Sequence, residues 1–213
     1  GDIQFNNVSF TYPESGTVAL QNISFNIPKG KTLAIVGKTG SGKSTIAQLL
    51  SRMYDPNSGE ISIGGKNINA VNLFDLRKQT GAVPQETFLF SDTIGNNIAF
   101  GTFGSGEHTN QEEIQAAAEN AVVHDNIMGF TQNYDTMVGE RGVTLSGGQK
   151  QRISIARALL KQPEILVFDD CLSAVDVDTE EKILRNLKRI MQDRTTIIIS
   201  HRISTIKHAD NIL

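Results

Sequence analysis

One glycine-rich stretch, residues 37–45, restricts the possible folds of this chain more than any other part of its sequence. It reads Gly-Lys-Thr-Gly-Ser-Gly-Lys-Ser-Thr, with four residues between its first glycine and Gly42, and then Lys43 and Ser44. A short apolar run, residues 31–36, precedes it. Residues 45–54 follow it with apolar side chains at helical spacing, Ile46, Leu49, Leu50 and Met53. A buried strand, a glycine loop and a helix in this order are the context of a phosphate-binding loop.

The residue types of this loop explain how it would hold a polyphosphate. Glycine has no Cβ, so the backbone can curl until successive N–H groups and the positive end of the helix face the anion. Lys43 is expected to reach the β- and γ-phosphates, and Ser44 to bind Mg²⁺. The alternative, a glycine-rich turn with a chance lysine, leaves the flanking strand and helix unexplained. The predicted nucleotide-binding residues of the loop are Gly37, Thr39, Gly40, Ser41, Gly42, Lys43, Ser44 and Thr45.

Composition narrows the class of protein. The chain has 213 residues, enough for one substantial core with a smaller inserted lobe, and its formal net charge of -3 gives no global basic field that would suggest nucleic acid. Cys171 is the only cysteine, which excludes an intramolecular disulfide and favours a reducing, cytosolic environment. No apolar run approaches the roughly 20 residues that span a bilayer. Because the chain ends on Ile212 and Leu213, we expect a domain excised from a longer polypeptide.

Hydrophobic periodicity predicts an α/β fold. Alternating apolar positions within residues 3–27 indicate an antiparallel β layer. The runs 165–168 and 195–199 are typical of parallel strands covered on both faces, and residues 180–191 between them have a helical pattern. Residues 87–160 are mostly helical in pattern and include a helical stretch over residues 111–123. We therefore predict a P-loop nucleotide hydrolase core with a mixed sheet, an antiparallel β layer and an inserted helical lobe.

Polar residues follow both predicted parallel strands, at the ends where ligands of such folds bind. Asp169 ends the strand Ile-Leu-Val-Phe and resembles the acid with which P-loop hydrolases hold Mg²⁺. Asp170 is a candidate for orienting or deprotonating an attacking water, or alternatively for capping the next turn. His201 follows the strand that ends at Ile199. Together with the glycine loop, these positions predict one nucleotide site.

A second anion cradle is predicted at residues 145–149, Leu-Ser-Gly-Gly-Gln, which open a helix. This motif resembles the signature of the ATP-binding cassette (ABC) family, and the resemblance covers essentially the whole chain. In that family two domains pack head to tail with two ATP molecules between them, and each signature contacts the partner's ATP. The resemblance therefore implies that Ser146, Gly147, Gly148 and Gln149 act in trans on the ATP of a second domain.

The resemblance also assigns roles to residues that would be uninformative alone. Tyr12 occupies the position whose ring stacks on adenine, with Val18 as an apolar support, although by itself Tyr12 would be interpreted as an ordinary strand aromatic. Gln85 matches the glutamine that contacts Mg²⁺ and the attacking water, and His201 matches the histidine that contacts the γ-phosphate. The implied magnesium ligands are Ser44, Gln85 and Asp169, the implied catalytic residues are Asp170, His201 and Gln85, and Ser173–Asp176 resembles the loop that crosses to the other domain.

Two segments resemble ABC exporters in particular. Residues 138–142, Val-Gly-Glu-Arg-Gly, are similar to a segment that lies beside the intracellular helices of exporter membrane domains. Taken alone, Glu140 and Arg141 would form a solvated ion pair worth at most about 1 kcal/mol. Residues 84–90 have the same exporter character.

This resemblance implies a domain arrangement and a set of partners. Residues 1–213 would form one ABC ATPase domain, with a core lobe at about 1–86 and 161–213 and a helical lobe at about 87–160. A transmembrane domain would precede it in the longer chain. The implied cofactors are ATP and Mg²⁺, and the implied partners are transmembrane domains and a second nucleotide-binding domain, identical or different. The implied location is the cytoplasmic face of the cell membrane.

One position departs from the family pattern. Most hydrolysing members carry Glu after the magnesium Asp, whereas this chain has Asp170, whose side chain is one methylene shorter. A misplacement of about 1 Å at a reacting centre can cost on the order of 10²-fold in rate, so we expect Asp170 to be a poor base or water-positioner. The resemblance then implies the degenerate half of a heterodimeric exporter, whose intact signature completes the partner's site.

The function predicted from the sequence is an ATP-hydrolysing motor domain of an ABC exporter. The first alternative is an ATP-gated regulatory half that hydrolyses slowly or not at all, which Asp170 favours. The second is a soluble ABC ATPase of DNA repair or translation, but such proteins tend to carry coiled-coil insertions or tandem cassettes and lack residues 139–142. A nucleotide kinase would leave residues 145–149 unexplained.

Overall fold

The computed structural model describes residues 1–102, 109–139 and 142–213. Glu140 and Arg141, which belong to the predicted exporter segment, lie outside the described residues. The described residues form two compact units. The first contains Gly1–Ala82, Glu164–Asp169 and Met191–Leu213, and the second contains Val83–Pro163 and Asp170–Ile190. The lobe bounds inferred from the sequence differ from these units and stay a prediction.

Strands and helices alternate along the chain. The strands are β1 (Ile3–Thr11), β2 (Val18–Ile27), β3 (Thr32–Ile35), β4 (Ser58–Ile63), β5 (Lys66–Asn67), β6 (Thr80–Val83), β7 (Ile165–Asp169), β8 (Thr195–Ile199) and β9 (Asn211–Ile212). The α-helices are α1 (Lys43–Leu50), α2 (Leu73–Gln79), α3 (Ile94–Ala99), α4 (Gln111–Asn120), α5 (His124–Met128), α6 (Gly147–Leu160), α7 (Val177–Met191) and α8 (Ile203–Ile206). The predicted α/β fold class is confirmed.

An antiparallel sheet with the strand order β2-β1-β4-β5 forms part of the first unit. Its central strand β1 places Phe5 opposite Phe25 on β2 and opposite Ile61 on β4. The rings of Phe5 and Phe25 stack with centroids 4.5 Å apart. Within each half of β1 the apolar side chains alternate, and the register shift between Phe5 and Val8 allows the apolar residues of both halves to be buried. The predicted antiparallel layer is therefore confirmed.

A second sheet has the strand order β6-β7-β8-β3-β9. Strand β8 pairs in parallel with both β3 and β7, and β3 pairs in parallel with β9. Every residue of β3, β7 and β8 is buried, which explains why these strands are continuous apolar or β-branched runs. The predicted mixture of strand directions is thus divided between two sheets, one antiparallel and one with parallel pairs.

The hydrophobic core of the first unit joins both sheets to helix α1. Ile46, Leu49 and Leu50 of α1 are at most 4% exposed and belong to the same cluster as Phe5 of β1 and Ile197 of β8. Each such side chain contributes about 1.5–3 kcal/mol when fully buried. The start of α1, where the glycine loop ends, is therefore held in place by core packing rather than by the loop alone.

Helix α1 is shorter than the sequence pattern suggested. We expected the helical spacing to continue through Met53, but α1 ends at Leu50 and Met53 is 63% exposed. The cause lies in the backbone of Arg52, which has a φ of 48° and so leaves the helical conformation. Its guanidinium donates to the carbonyl oxygens of Ile68 and Val71, and these contacts replace a further helical turn.

The second unit is mostly helical. Helix α6 runs over 14 residues and packs against α3 and α4. Helix α4 begins with a capping box between Asn110 and Glu113, which satisfies two N–H groups at its start. The predicted helical patterns in residues 111–123 and 180–191 correspond to α4 and α7. Within residues 1–102, 109–139 and 142–213, no helix combines the length and hydrophobicity needed to cross a bilayer.

Candidate nucleotide-binding site

Three chain segments leave the parallel sheet at one edge. At the carboxyl ends of the strands, Ile199 of β8 lies between Ile35 of β3 and Asp169 of β7. The glycine loop follows β3, Asp169 is the last residue of β7, and His201 follows β8. This is the edge at which parallel α/β sheets bind ligands. The register therefore brings these predicted site residues of the first unit to one edge.

The ammonium group of Lys43 lies inside the glycine loop. Its Nζ donates to the backbone oxygens of Gly37 at 2.9 Å and Lys38 at 2.7 Å, and lies 3.5 Å from Ser41 Oγ. Lys43 is only 8% exposed. A buried cation is costly unless it has hydrogen-bond partners, and here backbone carbonyls supply them. The loop thus holds a positive charge at the start of α1.

The conformation at Gly42 allows only glycine. Its φ is 86°, and a Cβ atom there would lie 2.3 Å from the backbone oxygen of Ala19. Gly42 is also the N-cap of α1, so the chain turns from the loop directly into the helix. The first turn of α1 carries no acidic side chain, and its N–H groups and helix dipole favour an anion. These features fit a bound polyphosphate.

Two oxygen-bearing side chains near this edge fit a magnesium ion. Ser44 is in the first turn of α1, and Asp169 is 7% exposed at the end of β7. Mg²⁺ is commonly bound by one or two carboxylates, waters and phosphate oxygens, so a site of this kind needs few protein ligands. In the described parts of the chain, no cluster of three or more His, Cys, Asp or Glu side chains suited to a metal occurs.

Tyr12 is anchored to α1 through its hydroxyl group. The hydroxyl donates to Gln48 Oε1 at 2.7 Å and lies 2.9 Å from Thr45 Oγ1. Val18 is 63% exposed and pairs with Thr11, the residue before Tyr12. The two residues assigned to the adenine ring are therefore close in the β1–β2 hairpin. Sequence reasoning missed Gln48, although its spacing of three from Thr45 on α1 was visible.

The signature residues begin helix α6 in the second unit. Ser146 Oγ accepts from the N–H of Gln149 at 3.1 Å, and Gln149 Oε1 accepts from the N–H of Ser146 at 2.9 Å. In this capping box the Gln149 side chain bonds to the start of its own helix. Ser146 and Gly147 are exposed, whereas Gly148 is buried beside Ala174, whose oxygen would lie 2.7 Å from a Cβ there.

The loop Ser173–Asp176 is attached to the same helix. Gln151 donates from Nε2 to Ser173 Oγ and accepts from the N–H of Ala174, both at 3.0 Å. The backbone N–H of Thr179 donates to Asp176 and holds the pKa of this exposed carboxyl below its ordinary value. The predicted crossing loop and the signature are thus parts of one connected structure, and Gln151 is a further residue that sequence reasoning missed.

The three residues predicted to be catalytic are Gln85, Asp170 and His201. Gln85 is exposed and belongs to the second unit, like Asp170, whereas His201 is exposed in the first unit. Asp170 directly follows Asp169 in the chain and has a φ of 44°, which is left-handed. Among residues other than glycine, Asp and Asn tolerate this conformation best. The local backbone at this position therefore suits Asp.

Comparison with known proteins places these sites in a family. The family model described as "ABC transporter" matches residues 20–173, which include the glycine loop, the signature and Asp169. The chain belongs to the ABC transporter family. Membership implies that the chain binds ATP, and the family predicted from the sequence is confirmed.

Individual relatives of this ABC transporter chain agree with the family match. It is 50% identical over 213 residues to "ABC transporter B family member 21" of Arabidopsis thaliana, covering 100% of the chain and 16% of that relative. It is 50% identical to "ATP-dependent lipid A-core flippase" of Photobacterium profundum, covering 100% of the chain and 36% of the relative. A solved bacterial Atm1-family ABC exporter with ATP bound superposes with a TM-score of 0.93 at 48% identity, covering 100% of this chain and 36% of that one.

The ABC transporter chain therefore spans well under half the length of these relatives.

The second unit of the chain carries a surface of exposed aromatic side chains, Phe88, Phe90 and Phe100, in which the ring of Phe90 contacts the rings of the other two. Phe88 is 66% exposed. Arg157 supports this surface from α6 by donating to the backbone oxygens of Asn97 at 2.7 Å and Phe88 at 2.9 Å, and burial lowers its pKa.

Proposed function

We propose that this chain is the ATP-hydrolysing motor domain of an ABC exporter. The observation that carries the proposal is the buried ammonium of Lys43 inside the glycine loop, at the sheet edge where Asp169 ends β7. The similarity to an exporter solved with ATP bound supports it. In this proposal two such domains dimerise head to tail around two MgATP molecules at the cytoplasmic face of the membrane. Their closure and ATP hydrolysis move the transmembrane domains.

The loop and its neighbours would bind and orient the triphosphate. Lys43 and the N–H groups at the start of α1 would neutralise the β- and γ-phosphates, because the ammonium and the positive end of the helix lie together at the glycine loop. Ser44, Asp169 and Gln85 would hold Mg²⁺, which neutralises further phosphate charge when bound. The carbonyl oxygens of Gly37 and Lys38 hold the Lys43 ammonium inside the loop, from where it would turn a hydrogen toward the phosphates.

Asp170 and His201 would act on the water and on the γ-phosphate. Asp170 would orient the attacking water or accept its proton, and the water would displace ADP in line from the γ-phosphorus. His201 would contact the γ-phosphate and so distinguish ATP from ADP. These two roles come from the family resemblance and are open to direct test by substitution.

A second copy or a related domain would complete each site with its signature. The exposure of Ser146 and Gly147 supports this role, since residues that act in trans must be accessible. The capping box makes Ser146 well ordered before any partner binds. The exposed aromatic surface of Phe88, Phe90 and Phe100 supports docking of a transmembrane domain on the second unit.

Co-expression of two inactive variants of the full-length protein tests the shared site. Lys43→Ala removes the phosphate-binding cation, and Ser146→Asp keeps a good N-cap but places a negative charge toward the partner's ATP. Each variant alone is expected to be inactive. In mixed dimers one site contains only intact elements, so the ATPase rate should recover to about a quarter of the wild-type rate if half of the dimers are mixed.

A matched control separates the charge from its position. Asn110→Asp adds the same charge at another exposed N-cap with a capping box, at the start of α4, and should leave activity unchanged. If the mixed dimers form but stay inactive, two copies of this chain do not share their sites in trans. If Ser146→Asp alone is fully active, the signature has no phosphate to contact.

A second candidate function is an ATP-gated half that hydrolyses very slowly. It is favoured by Asp170, whose short side chain lies in a backbone conformation suited to Asp rather than Glu. Single-turnover ATP hydrolysis with the partner domain present distinguishes the two functions. A gate would dimerise on ATP without releasing phosphate, whereas a motor would release it.

A further inference from the structure

The hydroxyl of Tyr12 lies in a chain of hydrogen bonds that the recognised motifs do not explain. It donates to Gln48 Oε1 at 2.7 Å and lies 2.9 Å from Thr45 Oγ1. A phenol has a single hydrogen, so when it donates to Gln48 the Thr45 hydroxyl must donate to the phenol oxygen. The hydrogen bonds therefore run from the Thr45 hydroxyl through the Tyr12 hydroxyl to the side-chain carbonyl of Gln48.

Both partners of Tyr12 belong to the helix that begins at the glycine loop. Thr45 and Gln48 are three residues apart on α1 and so share one face of it. Thr45 is 3% exposed, and the neighbouring Ile46 and Leu49 are in the core. Because the helix is held by core packing, Gln48 is a firm anchor for a side chain that comes from outside the helix.

The ring of Tyr12 is also restrained on its sides. Phe10 and Tyr54 meet it nearly at right angles, at interplanar angles of 80° and 88°, with centroids 5.0 and 5.5 Å away. Edge contacts of this kind are favourable but allow the ring to tilt. The hydroxyl contacts add a fixed point at the far end of the ring, so ring and hydroxyl together select one orientation.

We propose that Gln48 is a positioning residue for the nucleotide base. By accepting the Tyr12 hydrogen, it fixes the ring in the orientation on which a purine stacks, and it links base binding to the phosphate-binding helix. A ring that is ordered before binding loses less conformational freedom when the base arrives. The inference rests on the proposed binding of ATP with its adenine at Tyr12, and Gln48 itself would not touch the nucleotide.

Binding of two magnesium-containing ligands to the full-length protein tests this role. ATP has a base and inorganic tripolyphosphate has none, so only ATP reports on Tyr12. Gln48→Leu keeps the approximate size of the side chain and removes the acceptor. It should raise the Kd for ATP roughly 3- to 10-fold and leave the Kd for tripolyphosphate unchanged, because only the base then meets an unordered ring.

Three further variants identify the hydrogen bond as the cause. Tyr12→Phe keeps the ring without the hydroxyl and should have the same effect as Gln48→Leu, and the double variant should be no worse than either, since both remove one interaction. Gln48→Glu keeps an acceptor and should preserve the ratio of the two Kd values, even where its charge weakens both. Gln79→Leu, an exposed glutamine at the end of α2, is the control and should change neither Kd.

The outcomes separate this inference from the proposed function. If Gln48→Leu weakens ATP and tripolyphosphate equally, or leaves ATP binding unchanged while Tyr12→Ala weakens it, Gln48 does not position the base and ATP binding still stands. Additive effects in the double variant would equally overturn the inference. If the wild-type protein binds ATP no better than tripolyphosphate, or binds no ATP, then the proposed base contact or ATP binding itself fails and the inference fails with it.

Discussion

The substitution Asp170→Glu tests how far the length of one side chain limits hydrolysis. It adds the methylene group by which Asp170 is shorter than the Glu that most hydrolysing ABC family members carry at this position. If Asp170 falls about 1 Å short of the position needed at the attacking water, the change should raise the rate of the chemical step by on the order of 10²-fold. The rate is measured as single-turnover release of phosphate from the full-length protein in the presence of its partner, at saturating ATP.

The backbone at this position opposes the same substitution. Asp170 has a φ of 44°, and a left-handed conformation costs an ordinary residue roughly 1–2 kcal/mol, less for Asp. We therefore expect Asp170→Glu to lose about 1 kcal/mol in the free energy of unfolding, which lowers Tm by roughly 2–4 °C in a chain of this size. The variant should be faster but less stable, and thermal unfolding without nucleotide measures the second effect.

Asp170→Asn is the matched control for both effects. Asn tolerates the left-handed conformation as Asp does, so Tm should stay unchanged, while loss of the carboxylate should lower the rate. Equal single-turnover rates for the wild-type protein and Asp170→Glu, with equal ATP affinity, would refute the argument from reach. A faster Glu variant with an unchanged Tm would refute the argument from the backbone.

Two further predictions concern stability. The backbone N–H of Thr32, and to a lesser degree Lys31, lower the pKa of Asp210. The stabilising effect of the Asp210 carboxylate is therefore complete above about pH 4 and is lost as the pH falls through the lowered pKa. Asp210→Asn should lower the free energy of unfolding, measured by denaturant titration, by at most about 1 kcal/mol at pH 7, and a difference that persists at pH 2 would contradict this. Val122, just after α4, has a φ of 55°, a left-handed conformation that glycine adopts without strain. Val122→Gly should therefore raise the free energy of unfolding by about 0.5–1 kcal/mol, measured by thermal unfolding. A fall in Tm would show that the side-chain contacts of Val122 outweigh the strain.

Local patterns made most of the fold predictable. The alternation in β1 and the continuous apolar runs of β7 and β8 reflect how many faces of each strand are buried, which is a property of the strand itself. The end of α1 was predicted wrongly, because Met53 continues the helical spacing while the backbone of Arg52 turns away to bond two carbonyl oxygens of a distant segment.

The sequence by itself determined the family and the position of the glycine loop that we propose binds phosphate. A phosphate loop needs glycine, lysine and serine at fixed spacing because backbone N–H groups, one cation and one hydroxyl must meet a single anion, so the chemistry is written in consecutive residues. The signature at residues 145–149 is local in the same way.

Only the tertiary structure decided which residues support these motifs. Gln48 beneath Tyr12 and Gln151 beneath Ser173 are ordinary glutamines in the sequence, and each acquires a partner 36 or 22 residues away only when the chain folds. The left-handed backbone of Asp170 was likewise invisible, since its φ depends on the direction in which the folded chain leaves β7. Contacts between distant residues have no local pattern, because any polar side chain can make them once packing brings a donor and an acceptor together.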